Sequence, residues 1–109
     1  MLPNASEAII EPSKVRDYLL SPSHPIGRFK ATVFNALGYK QQDWETLRDD
    51  LLAIAHAGEA VPGAPGMYGL KYEVSGKLTG PNGRVGSFKT VWLLVSETSV
   101  PRFVTAFPE

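Results

Sequence analysis

The sequence predicts an α+β protein, with about three N-terminal helices packed on a C-terminal antiparallel meander of three to four strands. Two observations carry that prediction. Through residues 12–57 apolar side chains recur at three- and four-residue spacing, the mark of helices with one buried face. From Leu70 they switch to alternation, with turn residues between the runs, the mark of antiparallel strands. In a chain of 109 residues, this order implies one core between two layers. The helical part is expected over residues 12–58 and the sheet over residues 68–108.

Residues 1–11 read as an extended lead-in from which Ile9 and Ile10 can dock. Pro12 suits the first turn of a helix, where its missing N–H would have no intrahelical partner anyway. That helix, residues 12–20, carries Val15, Tyr18 and Leu19 on one apolar face. Pro22 and Pro25 then break the chain. A second helix over residues 26–37 is expected to bury Phe29, Val33, Phe34 and Leu37, with Gly38 as its C′ residue.

A third helix over residues 42–57 places Trp44, Leu47, Leu51, Ile54 and Ala55 on one stripe. Glu45, Arg48 and the pair Asp49-Asp50 are left to water. Gly58 ends it, and the Pro/Gly-rich residues 59–67 form an irregular crossing to the sheet.

Strands are expected at residues 70–79, 84–95 and 102–107. In the first, Leu70, Tyr72 and Val74 alternate with Lys71, Glu73 and Ser75. Gly80-Pro81-Asn82-Gly83 is a turn. Val91-Trp92-Leu93-Leu94-Val95 is apolar on both faces, so its strand is central and Trp92 belongs to the core. In the last strand simple alternation sends Phe103, Thr105 and Phe107 one way and Val104 and Ala106 the other.

Charge is balanced overall, with eleven Lys/Arg against eleven Asp/Glu, which argues against strong non-specific nucleic-acid binding. Its distribution is uneven, −2 over residues 1–66 and +2 over residues 67–109. Lys71, Lys77, Arg84, Lys89 and Arg102 face only Glu73 and Glu97 within the sheet stretch. Such a layout can focus an anionic ligand onto the sheet; ordinary scatter, and lysines that discourage edge-to-edge sheet pairing, explain it equally well.

There is no cysteine, hence no disulfide framework and no thiolate chemistry. The N-terminus has no basic and apolar leader, and no apolar run reaches bilayer-spanning length, so a cytoplasmic protein without membrane insertion is expected. No cofactor is implied, and the two histidines, His24 and His56, lie too far apart for a recognisable metal motif.

His24 is the first candidate for chemistry, because histidine suits proton transfer near neutrality. It sits just before the second helix, where it can reach toward the sheet or cap the helix. His56, in the last turn of the third helix, is explained by the helix dipole. Arg28 and Lys30 oppose the dipole at the start of the second helix. A phosphate bound at the free N–H groups would resolve that conflict, and so would a nearby acid.

The segments HPIGRFKATVFNALGYKQQDW, YGLKYEVSGKLTGPNGR, KTVWLLV and PRFVTAFP together resemble a widespread bacterial family of small domains of unknown function. The likeness covers residues 12–108. More remotely, helices followed by a meander ending in Val-Thr-Ala-aromatic-Pro are similar to the barnase/EndoU/colicin/RelE-like toxin ribonucleases. That resemblance implies metal-independent cleavage of RNA, in which a base activates a ribose 2′-hydroxyl and cations stabilise the phosphate.

The same resemblance implies His24 as acid or base, Lys30, Lys71, Lys89 and Arg102 as phosphate-binding cations, and Thr105 as a phosphate hydrogen-bond donor. Phe107 stands where the family pattern has Tyr, so a phenol there is absent. A toxin also implies an acidic neutralising partner over the cationic sheet. The competing reading is a non-catalytic binding module, an antitoxin, immunity or accessory protein using that same sheet.

Overall fold

Three helices precede a four-stranded antiparallel sheet. The computed structural model describes residues 2–63, 66, 69–96 and 99–109. Glu97, and Ala64, Pro65 and Met67 of the crossing segment, lie outside the described residues. Helix α1 starts at Pro12–Lys14 and widens into a π turn over Val15–Leu19, closed by Leu20 N–H donating to Val15 O at 2.9 Å. Helix α2 is Gly27–Ala36 and α3 is Trp44–Ala57. The strands are β1 (Ala60–Pro62), β2 (Leu70–Thr79), β3 (Val85–Leu94) and β4 (Arg102–Pro108), in spatial order β1-β2-β3-β4.

The core lies between the helices and one face of the sheet. Val15 and Leu19 from α1, Phe34 from α2 and Leu47, Leu51 and Ala55 from α3 are fully buried against Val74, Leu78, Phe88, Trp92 and Leu94. Phe34 stacks on Phe88 with centroids 5.1 Å apart, and Trp92 meets Phe103 edge-on at 5.4 Å. β3 is central, as its doubly apolar run predicts, and Ile10 docks from the lead-in along with Leu2.

Trp92 carries its polar atom into this core. Its Nε1–H donates to Thr90 Oγ1 at 2.8 Å, and that hydroxyl donates to Val74 O at 2.8 Å, all fully buried. Thr90→Val keeps the shape and strips the acceptor from the indole. It is expected to lower unfolding free energy by about 2 kcal/mol, the cost of an unsatisfied buried donor, measured by urea denaturation.

The C-terminus of α2 is held by the hairpin turn. Gly38 adopts φ +96, and Tyr39 N–H reaches back to Phe34 O, a left-handed helix ending that excludes side chains. Asn82 of the turn then donates from its side chain to Ala36 O (3.0 Å) and from its backbone to Leu37 O (3.3 Å). Tyr39 itself is buried, with its hydroxyl donating to Asp50 at 2.6 Å. Burial first, and then the Asp50 carboxylate, push this phenol far above the usual tyrosine range. Asp50 is therefore not part of a purely solvated acid pair, since it turns inward to the Tyr39 hydroxyl.

Three expectations fail for identifiable reasons. Within the crossing expected to be irregular, Ala60–Pro62 pair with the edge of β2 as a fourth strand, a contact between segments that local composition does not encode. Phe29 is 67% exposed rather than buried. The N-terminus of α2 packs through Gly27 against the Tyr18 backbone, which orients the helix with Ala31 and Phe34 inward and leaves Phe29 off that stripe. In β4 simple alternation breaks. Trp92 pairs with Phe103 but Val91 with Thr105, so a bulge inserts Val104. Phe103 and Ala106 consequently share the buried face, instead of facing opposite ways.

Candidate functional site

The bulge shapes a cleft. With Phe103 and Ala106 both inward, the two residues between them, Val104 and Thr105, line an open cavity of about 560 Å³ together with Ser13, Lys14, Asp17, Tyr18 and His24. The cleft therefore runs along β4, walled by α1 and by the loop before α2. Tyr18 connects its two sides. Its hydroxyl lies 3.2 Å from Thr105 Oγ1, either group able to donate, and its ring meets His24 edge-on at 5.1 Å. The π turn of α1 contains Tyr18.

His24 holds its position through backbone bonds. Nδ1 accepts from Ile26 N–H (3.1 Å) and Gly27 N–H (2.9 Å), while His24 O accepts from Arg28 N–H (3.1 Å). This is the N-cap pattern, with Pro25 following where an N–H is not needed. Backbone amides are donors without alternative, so Nδ1 must present its lone pair and the neutral ring carries its proton on Nε2. In this geometry the ring, which lines the cleft, has an N–H donor rather than a basic nitrogen left over. Service as a general base would require the ring to release both cap bonds.

The same bonds close the phosphate site expected at the start of α2, because the first-turn amides are occupied by His24. Nor do the hydrogen bonds and ion pairs of the described residues give Arg28 or Lys30 an acid. Arg28 lies over the Phe29 ring at 4.9 Å. Lys30 Nζ donates to Ala106 O at 3.2 Å and sits 5.7 Å from the Phe107 ring centroid, which brings it beside Thr105 on β4. Asp17 is an anion committed elsewhere, since hydrogen bonding to Arg16 at 2.9 Å holds its carboxyl below the usual range.

Lys71, Lys89 and Arg102 are brought to the outer face of the sheet. Register puts Lys71, Leu93 and Arg102 in one cross-strand row, Glu73, Val91 and Thr105 in the next, and Ser75, Lys89 and Phe107 in the third. Thr105 thus stands in the row between the sheet cations. Two of those cations are partly neutralised, Lys89 by Glu73 at 3.4 Å and Arg102 by Glu11 at 2.9 Å. Lys71 is exposed.

Sequence reasoning missed Tyr18, Ser13 and Lys14 as cleft residues. Tyr18 reads as part of an apolar face, and only its polar tip hints at a second role. Among the described residues no cluster of three His, Asp or Glu is placed to hold a metal ion, and no helix is long and apolar enough to cross a membrane.

The model of a family described as a domain of unknown function (DUF6883) matches residues 1–109. No curated protein matches the chain. Among solved structures it is similar to a chain of the contact-dependent growth inhibition toxin–immunity protein complex from Klebsiella pneumoniae 342. The TM-score is 0.71 at 17% identity, covering 93% of this chain and 99% of that one. At that identity the likeness is one of fold.

Proposed function

Starting from the premise that the chain belongs to the DUF6883 family of domains of unknown function, we propose that it is a metal-independent endoribonuclease of the toxin type, acting at the β4 cleft. One observation carries this reading. The bulge turns Thr105 into the same cleft as His24, with Lys30 beside it and the sheet cations in the flanking rows. A phosphodiester there meets the His24 Nε2–H, the Thr105 and Tyr18 hydroxyls and the Lys30 ammonium. Lys71, Lys89 and Arg102 offer a track for the adjoining backbone.

The chemistry follows from that donor set. Attack of a ribose 2′-oxygen on its neighbouring phosphorus breaks the bond to the 5′-oxygen, and the 2′ proton ends on that departing oxygen. The products are a 2′,3′-cyclic phosphate and a 5′-hydroxyl. Negative charge accumulates on the phosphate oxygens in between, and donors already aimed at them lower the barrier.

Induction of the chain in bacteria tests this. Growth arrest with fragmented RNA is expected for wild type. Lys30→Ala is expected to relieve the arrest and Lys89→Ala to weaken it, with both proteins folded. Normal growth and intact RNA alongside abundant folded wild-type protein would overturn the ribonuclease reading.

A second reading has its own support. Lys89 and Arg102 are already paired with Glu73 and Glu11, and a sheet face so balanced suits a protein partner better than a phosphate. The related fold comes from a toxin–immunity protein complex. On this reading the chain is a binding module, and Lys71→Glu with Arg102→Glu would abolish partner binding without any change in RNA.

A further inference from the structure

Helix α2 begins with a feature that the core does not use. Phe29 is 67% exposed and Ile26 63%, side by side at three-residue spacing. Arg28 lays its guanidinium over the Phe29 ring, 4.9 Å from the centroid. Residues 21–36 contain Arg28 and Lys30 and no acid at all. The patch sits within a turn of His24, whose ring lines the cleft, and of Lys30, which reaches β4 beside Thr105.

An exposed aromatic ring beside cations that have no acid partner among the described residues is the pattern by which proteins hold unstacked bases, with the ring supplying a stacking face and the cations tracking the backbone. The other exposed large apolar residues among the described residues, Ile9, Val61, Val85 and Val95, lie elsewhere in the chain, away from α2. Two side chains make too small an apolar centre for a stable protein interface, which involves about 800 Å² per partner. One ring, one aliphatic neighbour and one guanidinium suit a single base better than a protein surface.

We propose that Phe29, with Arg28, is a base-stacking subsite for a nucleotide flanking the scissile phosphate, so that the substrate is single-stranded RNA. The proposal rests on the ribonuclease reading. A base inside a duplex is already stacked and cannot take this position.

The test is fluorescence anisotropy with a labelled single-stranded RNA made uncleavable by 2′-O-methyl groups, set against the same sequence as a duplex. Wild type is expected to prefer the single strand. Phe29→Ala and Phe29→Leu are each expected to bind it about tenfold more weakly, and Phe29→Trp to match wild type. Because residue 29 is exposed, all three should fold, which circular dichroism verifies.

Leucine binding as well as phenylalanine would mean an apolar contact rather than stacking, and would overturn the proposal. Equal affinity for the duplex would do the same. If wild type cleaves RNA and all three variants bind as tightly as it does, the subsite fails while the ribonuclease reading stands, leaving the patch to a protein partner. If wild type neither binds nor cleaves RNA, the ribonuclease reading itself fails and takes the subsite with it.

Discussion

Gly27→Ala is expected to leave the protein far less stable, with its urea midpoint sharply lowered. Glycine 27 is buried where α2 crosses α1, and a Cβ there would lie 1.9 Å from Tyr18 O and 2.6 Å from Tyr18 C. Both are backbone atoms, so no rotamer change relieves the overlap and the two helices must part. Overpacking of this kind costs about 3 kcal/mol. Alanine's advantage over glycine within a helix, about 1 kcal/mol, is too small to offset it. The same movement would pull the His24 loop away from Tyr18, so any activity should fall along with stability. A variant as stable as wild type would show that the α1–α2 crossing is not tight.

His24→Asn should separate the two jobs of His24. Asparagine is among the best N-cap residues, and its Oδ1 can accept the bonds from Ile26 and Gly27 N–H that Nδ1 accepts now. The variant is therefore expected to keep its stability. It loses the Nε2–H of a ring that lines the cleft, and on the ribonuclease reading RNA cleavage should drop by about 10²–10³-fold, the usual loss of one preorganised donor to developing charge. His24→Ala should suffer the same drop and lose about 1 kcal/mol of stability with the cap. Full cleavage by a stable asparagine variant would reduce His24 to a helix cap.

Much of the architecture was legible from periodicity and punctuation. The extents of α3 and β2, the helix ending at Gly38, the turn at Gly80–Gly83 and the central position of β3 follow from residue spacing and local conformational preference. So does the buried Trp92. These are near-neighbour effects, since each depends on a few consecutive residues and on which face of an element is apolar. His24 was also visible as a candidate, with its capping and its cleft-facing possibilities both open.

The site's geometry was not legible, because it depends on contacts between distant segments. Alternation along β4 cannot reveal a bulge, which arises only when that strand pairs with β3, and the bulge is what turns Thr105 into the cleft. The apolar spacing of α2 cannot say which side Gly27 will press against Tyr18, so Phe29 was assigned inward when it faces out. Tyr18 meets Thr105 across 87 positions of sequence, and no local pattern encodes that hydrogen bond. The sequence by itself determined the three helices, the three long strands and their order, while β1 forms only through its pairing with β2. Only the tertiary structure decided which polar groups share a cleft, since that is settled by packing and register, where one inserted residue or one missing Cβ redirects every side chain that follows.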